Sequence, residues 1–250
     1  MSLNGKVVII TGPAAGIGAA AAKLFASEGA KLCLLDVDEI NLKKVEADCR
    51  ELGADVLALK CDVSLLPEID DAIAEIIRQF DAIDILVNNA IFRAIKPFLE
   101  VEEDDFDQAL FTNIKGYFFF VQKVVPHMIK RQGGRVINVA STFGFVGSSN
   151  LSVYCTCKGA VVNMTRAMAF ELAGENIFVN AVAPGPIMTE GMTELIQRVP
   201  RVHESRVQDV PMGRFGTPEE IAQVCLFLAS DKCSYMNGSV LVADGGFLTH

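Results

Sequence analysis

Apolar residues fall along this chain in two alternating rhythms. Short β-branched runs, apolar at nearly every position and beginning with "KVVIIT" (6–11), are each followed by a longer stretch with helical spacing. The first such stretch is "GIGAAAAKLFASEGA", closed by Gly29, and "KLCLLD" (31–36) is the second strand. The helix "EINLKKVEADCRELG" separates it from "DVLALKCD" (55–62), and "LPEIDDAIAEIIRQF" separates that from "IDILVNNA" (83–90). A long helix is expected from about Phe106 to Arg131, kinked or broken at Pro126, where a helical donor is missing. "GRVINVAS" (134–141) is the fifth strand and leads through a Gly/Ser-rich loop into another helix. "IFVNAVAP" (177–184) and "SVLVADGG" (239–246) are the sixth and seventh, with the helix "PEEIAQVCLFLAS" before the last.

Strands that are apolar throughout and bounded by helices predict a parallel sheet covered on both faces. No linker, low-complexity tract or repeat divides the chain. The expected fold is α/β: a single-domain, doubly wound, Rossmann-like seven-stranded parallel sheet over residues 1–250. One segment stands outside this alternation. Residues 189–215, between strand six and the last helix, are expected to fold over the cleft as a substrate lid.

Composition narrows the function. Hydrophobic residues make up 51% of the 250, enough for a large core. A formal net charge of −9 argues against a nucleic-acid partner, whose footprint is a basic face. No apolar run approaches the roughly 20 residues of a membrane span, and "MSLNGKVVIITG" carries no signal-peptide pattern. The seven cysteines are odd in number and lack CxxC pairs, which predicts reduced thiols in a cytoplasmic protein and no metal site.

In a doubly wound sheet, ligands bind beyond the carboxyl ends of the strands, at the switch point. The turn after strand one, "TGPAAGIG", holds Gly12, Gly16, Ile17 and Gly18, so a pyrophosphate can approach the free N–H groups of the following helix. Asp36 ends strand two at the distance suited to an adenosine ribose, whose hydroxyls a carboxylate accepts. The same charge repels a 2′-phosphate, and neither Ala15 nor Val37 supplies a compensating cation. NAD is therefore favoured over NADP. The alternative for Asp36 is a residue that merely caps a turn.

These features, with "CDV" (61–63), "NNA" (88–90), Asn113, Ser141, Tyr154 with Lys158, "PGPIMT" (184–189) and "DGG" (244–246), stand in the order found in the short-chain dehydrogenase/reductase family, which the chain resembles over essentially its whole length. The resemblance implies a catalytic group of Asn113, Ser141, Tyr154 and Lys158. It implies that Asp62 and Val63 flank the adenine, that Asn89 and Ala90 line the cofactor's ribose side, and that Ile187 and Thr189, after Pro184 and Gly185, hold the nicotinamide carboxamide. Asn88 would tie neighbouring strands, Asn113 would hold water leading to Lys158, and the assembly would be a homotetramer. Two residues depart from the pattern: Ile91 stands where such families usually have Gly, and Pro13 has no N–H to offer a phosphate.

Tyr154 and Lys158, four apart, share a helix face. Oxidising a secondary alcohol requires a base, and free tyrosine has a pKa of about 10; a lysine one turn away is expected to lower it. Ser141 could orient the substrate oxygen. The expected activity is hydride transfer between NAD(H) and a secondary alcohol or ketone. The alternatives are an NADPH-dependent 3-oxoacyl-thioester reductase and a non-catalytic dinucleotide sensor. On the substrate side, Arg198, Arg201, His203 and Arg206 are either anion ligands or solvated charges on the lid. Phe92, Phe143, Phe145, Val146 and Met188 are either an apolar pocket or packing beneath it.

Overall fold

The computed structural model describes residues 2–198 and 207–249. Seven strands, β1 (Val7–Thr11), β2 (Lys31–Asp36), β3 (Val56–Lys60), β4 (Ile85–Asn88), β5 (Gly134–Val139), β6 (Ile177–Pro184) and β7 (Val240–Ala243), form one sheet in the order β3-β2-β1-β4-β5-β6-β7. Every pairing is parallel. The strand order reverses between β1 and β4, which opens a crevice at their carboxyl ends.

Alternation along the strands divides the core. On β1, Val8 and Ile10 face a cluster built with α1 (Gly16–Ser27), α2 (Glu39–Glu51) and α8 (Pro218–Ala229). Val7 and Ile9 face the opposite cluster, built with α3 (Leu66–Phe80), α5 (Tyr117–Lys130) and α6 (Ser152–Leu172). A strand buried on both faces has no polar side to present, which accounts for the continuous apolar runs. Among the described residues no helix is long and apolar enough to cross a membrane.

The long helix differs from expectation. It is α4 (Glu103–Leu110), then a π turn at Phe111–Gly116, then α5, which runs unbroken through Pro126. A proline inside a helix costs roughly 3 kcal/mol. Four fully buried side chains on α5 (Phe120, Val121, Val124 and Met128) outweigh that at about 1.5–3 kcal/mol each. The irregularity lies instead at the π turn, the kind of widened turn that often marks functional sites. It closes with Gly116 against β3's exit, where a Cβ would lie 2.8 Å from the Val63 carbonyl oxygen.

Candidate active site

At the crevice, Gly12 (φ +68°) turns the chain so tightly that a Cβ would meet the Ala90 Cα at 2.7 Å. A Cβ on Gly18 would sit 2.2 Å from the Gly12 carbonyl oxygen, so Gly18 serves the packing of the turn and does not itself line the cavity. Asn89 holds the same turn from β4's end, donating to the carbonyls of Thr11 (3.1 Å) and Gly12 (2.8 Å). Asn88 donates to Asn138 Oδ1 at 2.9 Å and so ties β4 to β5.

Two carboxylates occupy N–H groups of the turn. Asp36 accepts from the Ala14 N–H at 2.9 Å and from the Asp38 N–H at 3.0 Å, so the acid at β2's end also caps local structure. Glu190, at the start of α7 (Glu190–Arg198), accepts from the Gly16 N–H at 2.9 Å, at the very helix terminus where a phosphate is expected. Asp62 accepts from the Ser64 N–H at 2.9 Å. Gly185 packs on the carboxyl-terminal "DGG": a Cβ there would lie 2.6 Å from the Asp244 Cα, and Asp244 caps the N–H groups of Gly246 and Leu248.

One cavity of about 1510 Å³ joins these parts. Its near end is lined by Gly12, Gly16, Ile17, Asp36, Asp62 and Val63, and its middle by Asn89, Ala90, Pro184, Gly185, Ile187 and Thr189. Ser141, Tyr154 and Lys158 line its far end. The glycine cradle, the helix terminus and the acid beyond β2 are the donor set and space that a nicotinamide dinucleotide fits.

At that far end, Ser141 Oγ accepts from the Phe143 N–H at 3.2 Å, and the hydroxyl hydrogen-bonds the Tyr154 phenol. The Phe143 ring meets Tyr154 edge-on at 6.4 Å and Phe247 at 5.8 Å. Lys158 is fully buried, donates to the Val139 carbonyl at 2.6 Å, and lies over the rings of Tyr117 and Tyr154 at 5.4 and 5.7 Å.

The electrostatics correct one expectation. Burial pushes the Tyr154 phenol above its ordinary 10, while a hydrogen bond with Ser141 and the charge of Arg93 work the other way. Burial also holds the Lys158 ammonium down to about 7. In the protein alone, then, the phenol is not drawn down by Lys158. The same dry pocket penalises both charged forms, and desolvation outweighs their proximity.

Asn113 holds the loop after β4. It is buried in the π turn, off the cavity lining. Its Nδ2 donates to the Phe92 carbonyl (2.8 Å) and its Oδ1 accepts from the Phe92 N–H (2.9 Å). The side-chain amide thus fastens the loop after β4 to the π turn, and it also hydrogen-bonds Cys157.

Of the expected apolar lining, Phe92 and Phe143 face the cavity, whereas Phe145, Val146 and Met188 do not. Arg201, His203 and Arg206 lie outside the described residues; Arg198 is exposed at the end of α7. The residue that sequence reasoning missed is Arg93, which lines the cavity beside Ile91. Its signal was its position three residues past Ala90, on the loop leaving the switch-point strand.

The fold and this site define a class: the chain belongs to the short-chain dehydrogenase/reductase family, and it is an oxidoreductase. Residues 12–248 match the family model described as Enoyl-(Acyl carrier protein) reductase. The chain is similar to the 3-oxoacyl-(acyl-carrier-protein) reductase FabG of Thermotoga maritima, 42% identical over 248 residues that cover 99% of this chain and 100% of the relative. It is also similar to the NAD-dependent glycerol dehydrogenase of Listeria innocua, at 37% identity over 98% of this chain and 95% of that one. Among solved structures, levodione reductase superposes with a TM-score of 0.92 at 35% identity, covering 97% of both chains.

Proposed function

We propose that the chain transfers a hydride between NAD(H) and a secondary alcohol or ketone, with Tyr154 as the general acid and base. The observation that carries this reading is the convergence of Ser141, Tyr154 and Lys158 at one end of a cavity whose other end is the glycine turn and Asp36. NAD(H), when bound, accepts or supplies the hydride, and its oxidised ring brings a positive charge into the cleft.

The chain's own residues handle the proton. Ser141 donates to the substrate oxygen and holds it beside the phenol. Because burial keeps the phenol protonated at neutral pH, Tyr154 is the ready acid for reducing a ketone. In the oxidative direction it must first ionise, and nearby positive charge makes that possible. Lys158, anchored on the Val139 carbonyl, lies over the ring and passes its own proton on as the phenol turns over. Asn113 fastens the loop after β4 through its side-chain amide and, as a member of the catalytic group, is proposed to hold the water that carries the Lys158 proton to solvent.

Gly12, Gly16, Ile17, Asp62, Val63, Asn89 and Ala90 are the proposed dinucleotide contacts, together with Pro184, Gly185, Ile187 and Thr189; Gly18 supports their turn. Asp36 makes NAD the preferred form, since a 2′-phosphate would meet an acid already held in place by two backbone N–H groups. Residues Glu190–Arg198, which bring Met192 and Leu195 to the cavity, are proposed as part of a lid. The whole chain is read as one domain that assembles as a homotetramer. A panel of secondary alcohols and ketones followed at 340 nm with each cofactor, run beside Tyr154→Phe, tests the reading. No turnover with any pair, or an undiminished variant, would end it.

A second reading, an NADPH-dependent 3-oxoacyl-thioester reductase, is favoured by the name of the Thermotoga maritima relative. A strong NADPH preference with thioester substrates would put it first.

A further inference from the structure

At the substrate end of the cavity Ile91, Phe92, Ile95, Phe143, Leu151 and Leu195 supply apolar wall, with the neutral polar residues Gln108, Thr112, Ser148, Ser149 and Asn150 among them. The described carboxylates on the lining, Asp36, Asp38, Asp62 and Glu190, belong to the dinucleotide end or to the glycine turn. Apart from buried Lys158, the described lining holds one cation, Arg93. Arg93 is exposed to the cavity mouth and forms no ion pair or hydrogen bond with a described residue. The neighbouring lysine behaves differently: Lys96 is taken up by Glu102 (3.3 Å) and Asp105 (2.6 Å).

Arg93 is also held in place. Asn113 grips both backbone groups of Phe92, the Lys96 N–H donates to the Asn150 carbonyl at 3.1 Å, and Ala94 between them is buried. A loop pinned on either side fixes where the Arg93 backbone stands at the cavity, and its guanidinium carries the planar donor fork that matches a carboxylate. It stands near enough to the phenol for its charge to be felt there.

We infer that Arg93 is a specificity residue that binds the carboxylate of the substrate, so that the preferred substrates are oxo or hydroxy acids with an apolar body between the acid and the reacting carbon. This rests on the oxidoreductase reading above and adds the substrate class. The apolar wall takes the body of the molecule, Ser141 and Tyr154 take the reacting oxygen, and Arg93 takes the charge at the mouth.

The test pairs straight-chain methyl-ketone acids of increasing length with their methyl esters, assayed with wild type, Arg93→Ala, Arg93→Lys and Arg93→Glu. A charge-assisted contact predicts an acid-to-ester ratio of kcat/KM of roughly 10–100 at the best length. The ratio should collapse toward one in Arg93→Ala, survive in part in Arg93→Lys, and invert in Arg93→Glu. Equal use of acid and ester by the wild type, or a ratio unchanged in Arg93→Ala, overturns the inference. Calorimetric titration of the same acids into the protein loaded with oxidised cofactor, which has no hydride to give a ketone, reads the contact without turnover. Affinity that drops in Arg93→Ala while no ketone is reduced would sustain the carboxylate site and sink only the assigned reaction. Affinity indifferent to the substitution would sink the site. Thermal melts of each variant separate loss of the contact from loss of the fold.

Discussion

Replacing Lys158 by Met should trade function for stability, with a pH signature that belongs to this residue. The ammonium is fully buried, and burial holds it to about 7, against 10.5 for the free group. The sign follows from proton counting. Between the two values the unfolded chain carries the proton and the native protein does not, so unfolding takes up a proton and native stability rises with pH. Below 7 both states are protonated and the penalty of the buried charge stands in full. The interval from 10.5 down to 7 corresponds to about 5 kcal/mol at 1.36 kcal/mol per pH unit, a ceiling that relaxation and water entry lower. Met fills a similar volume but leaves the Val139 carbonyl without its donor, a loss of about 1–3 kcal/mol. The comparison across pH is cleaner, because that loss cancels. From pH 6 to pH 9 the wild type should gain about 3 kcal/mol relative to Lys158→Met. Urea unfolding of both proteins at the two pH values, at matched concentration, measures this directly. Parallel curves would mean that the amine is not desolvated, and the account of the buried pair would fall with it.

Four further substitutions probe the rest of the cavity. Tyr154→Phe should lower kcat by about 100–10,000-fold with little change in cofactor Kd, and Ser141→Ala by about 100–1,000-fold, both read from initial rates at 340 nm. Asp36→Asn removes the charge and keeps an acceptor for the Ala14 N–H; the ratio of kcat/KM for NADP to that for NAD should rise at least about tenfold. An unchanged ratio would leave Asp36 only its turn-capping role. Glu190→Gln should tighten dinucleotide binding by roughly fivefold, from the Coulomb repulsion of about 1 kcal/mol between unit charges 4 Å apart in water. Fluorescence titration checks it, with weakened binding as the contrary result.

What the sequence makes legible here, and what it hides, follows from how each feature is encoded. The strands could be read because a sheet buried on both faces demands uninterrupted apolar residues, and "VVIIT" and "KLCLLD" have no other soluble use. Tyr154, Lys158 and Ser141 could be read because spacing on a helix and a strand end dictates which side chains meet. The π turn could not. "FTNIKG" continues a helical apolar pattern, and one widened turn leaves hydropathy unchanged while it brings the Asn113 amide onto the backbone of Phe92. Pro126 pointed to a break because its missing donor is a local rule, whereas the burial that overrides it is tertiary. Arg93 was overlooked because a cavity-facing arginine and a solvated one have the same letter. The protonation of the central pair is the deepest such case. A lysine four residues from a tyrosine says that two groups adjoin, and in water the cation would favour the phenolate. In this pocket the lysine stands near 7 and the phenol above 10, because desolvation acts on each charge separately. Adjacency can be written in a sequence, but which partner carries the charge is decided by how much water the fold leaves around them. The positive ring of an oxidised cofactor is the one contribution that the chain does not make for itself.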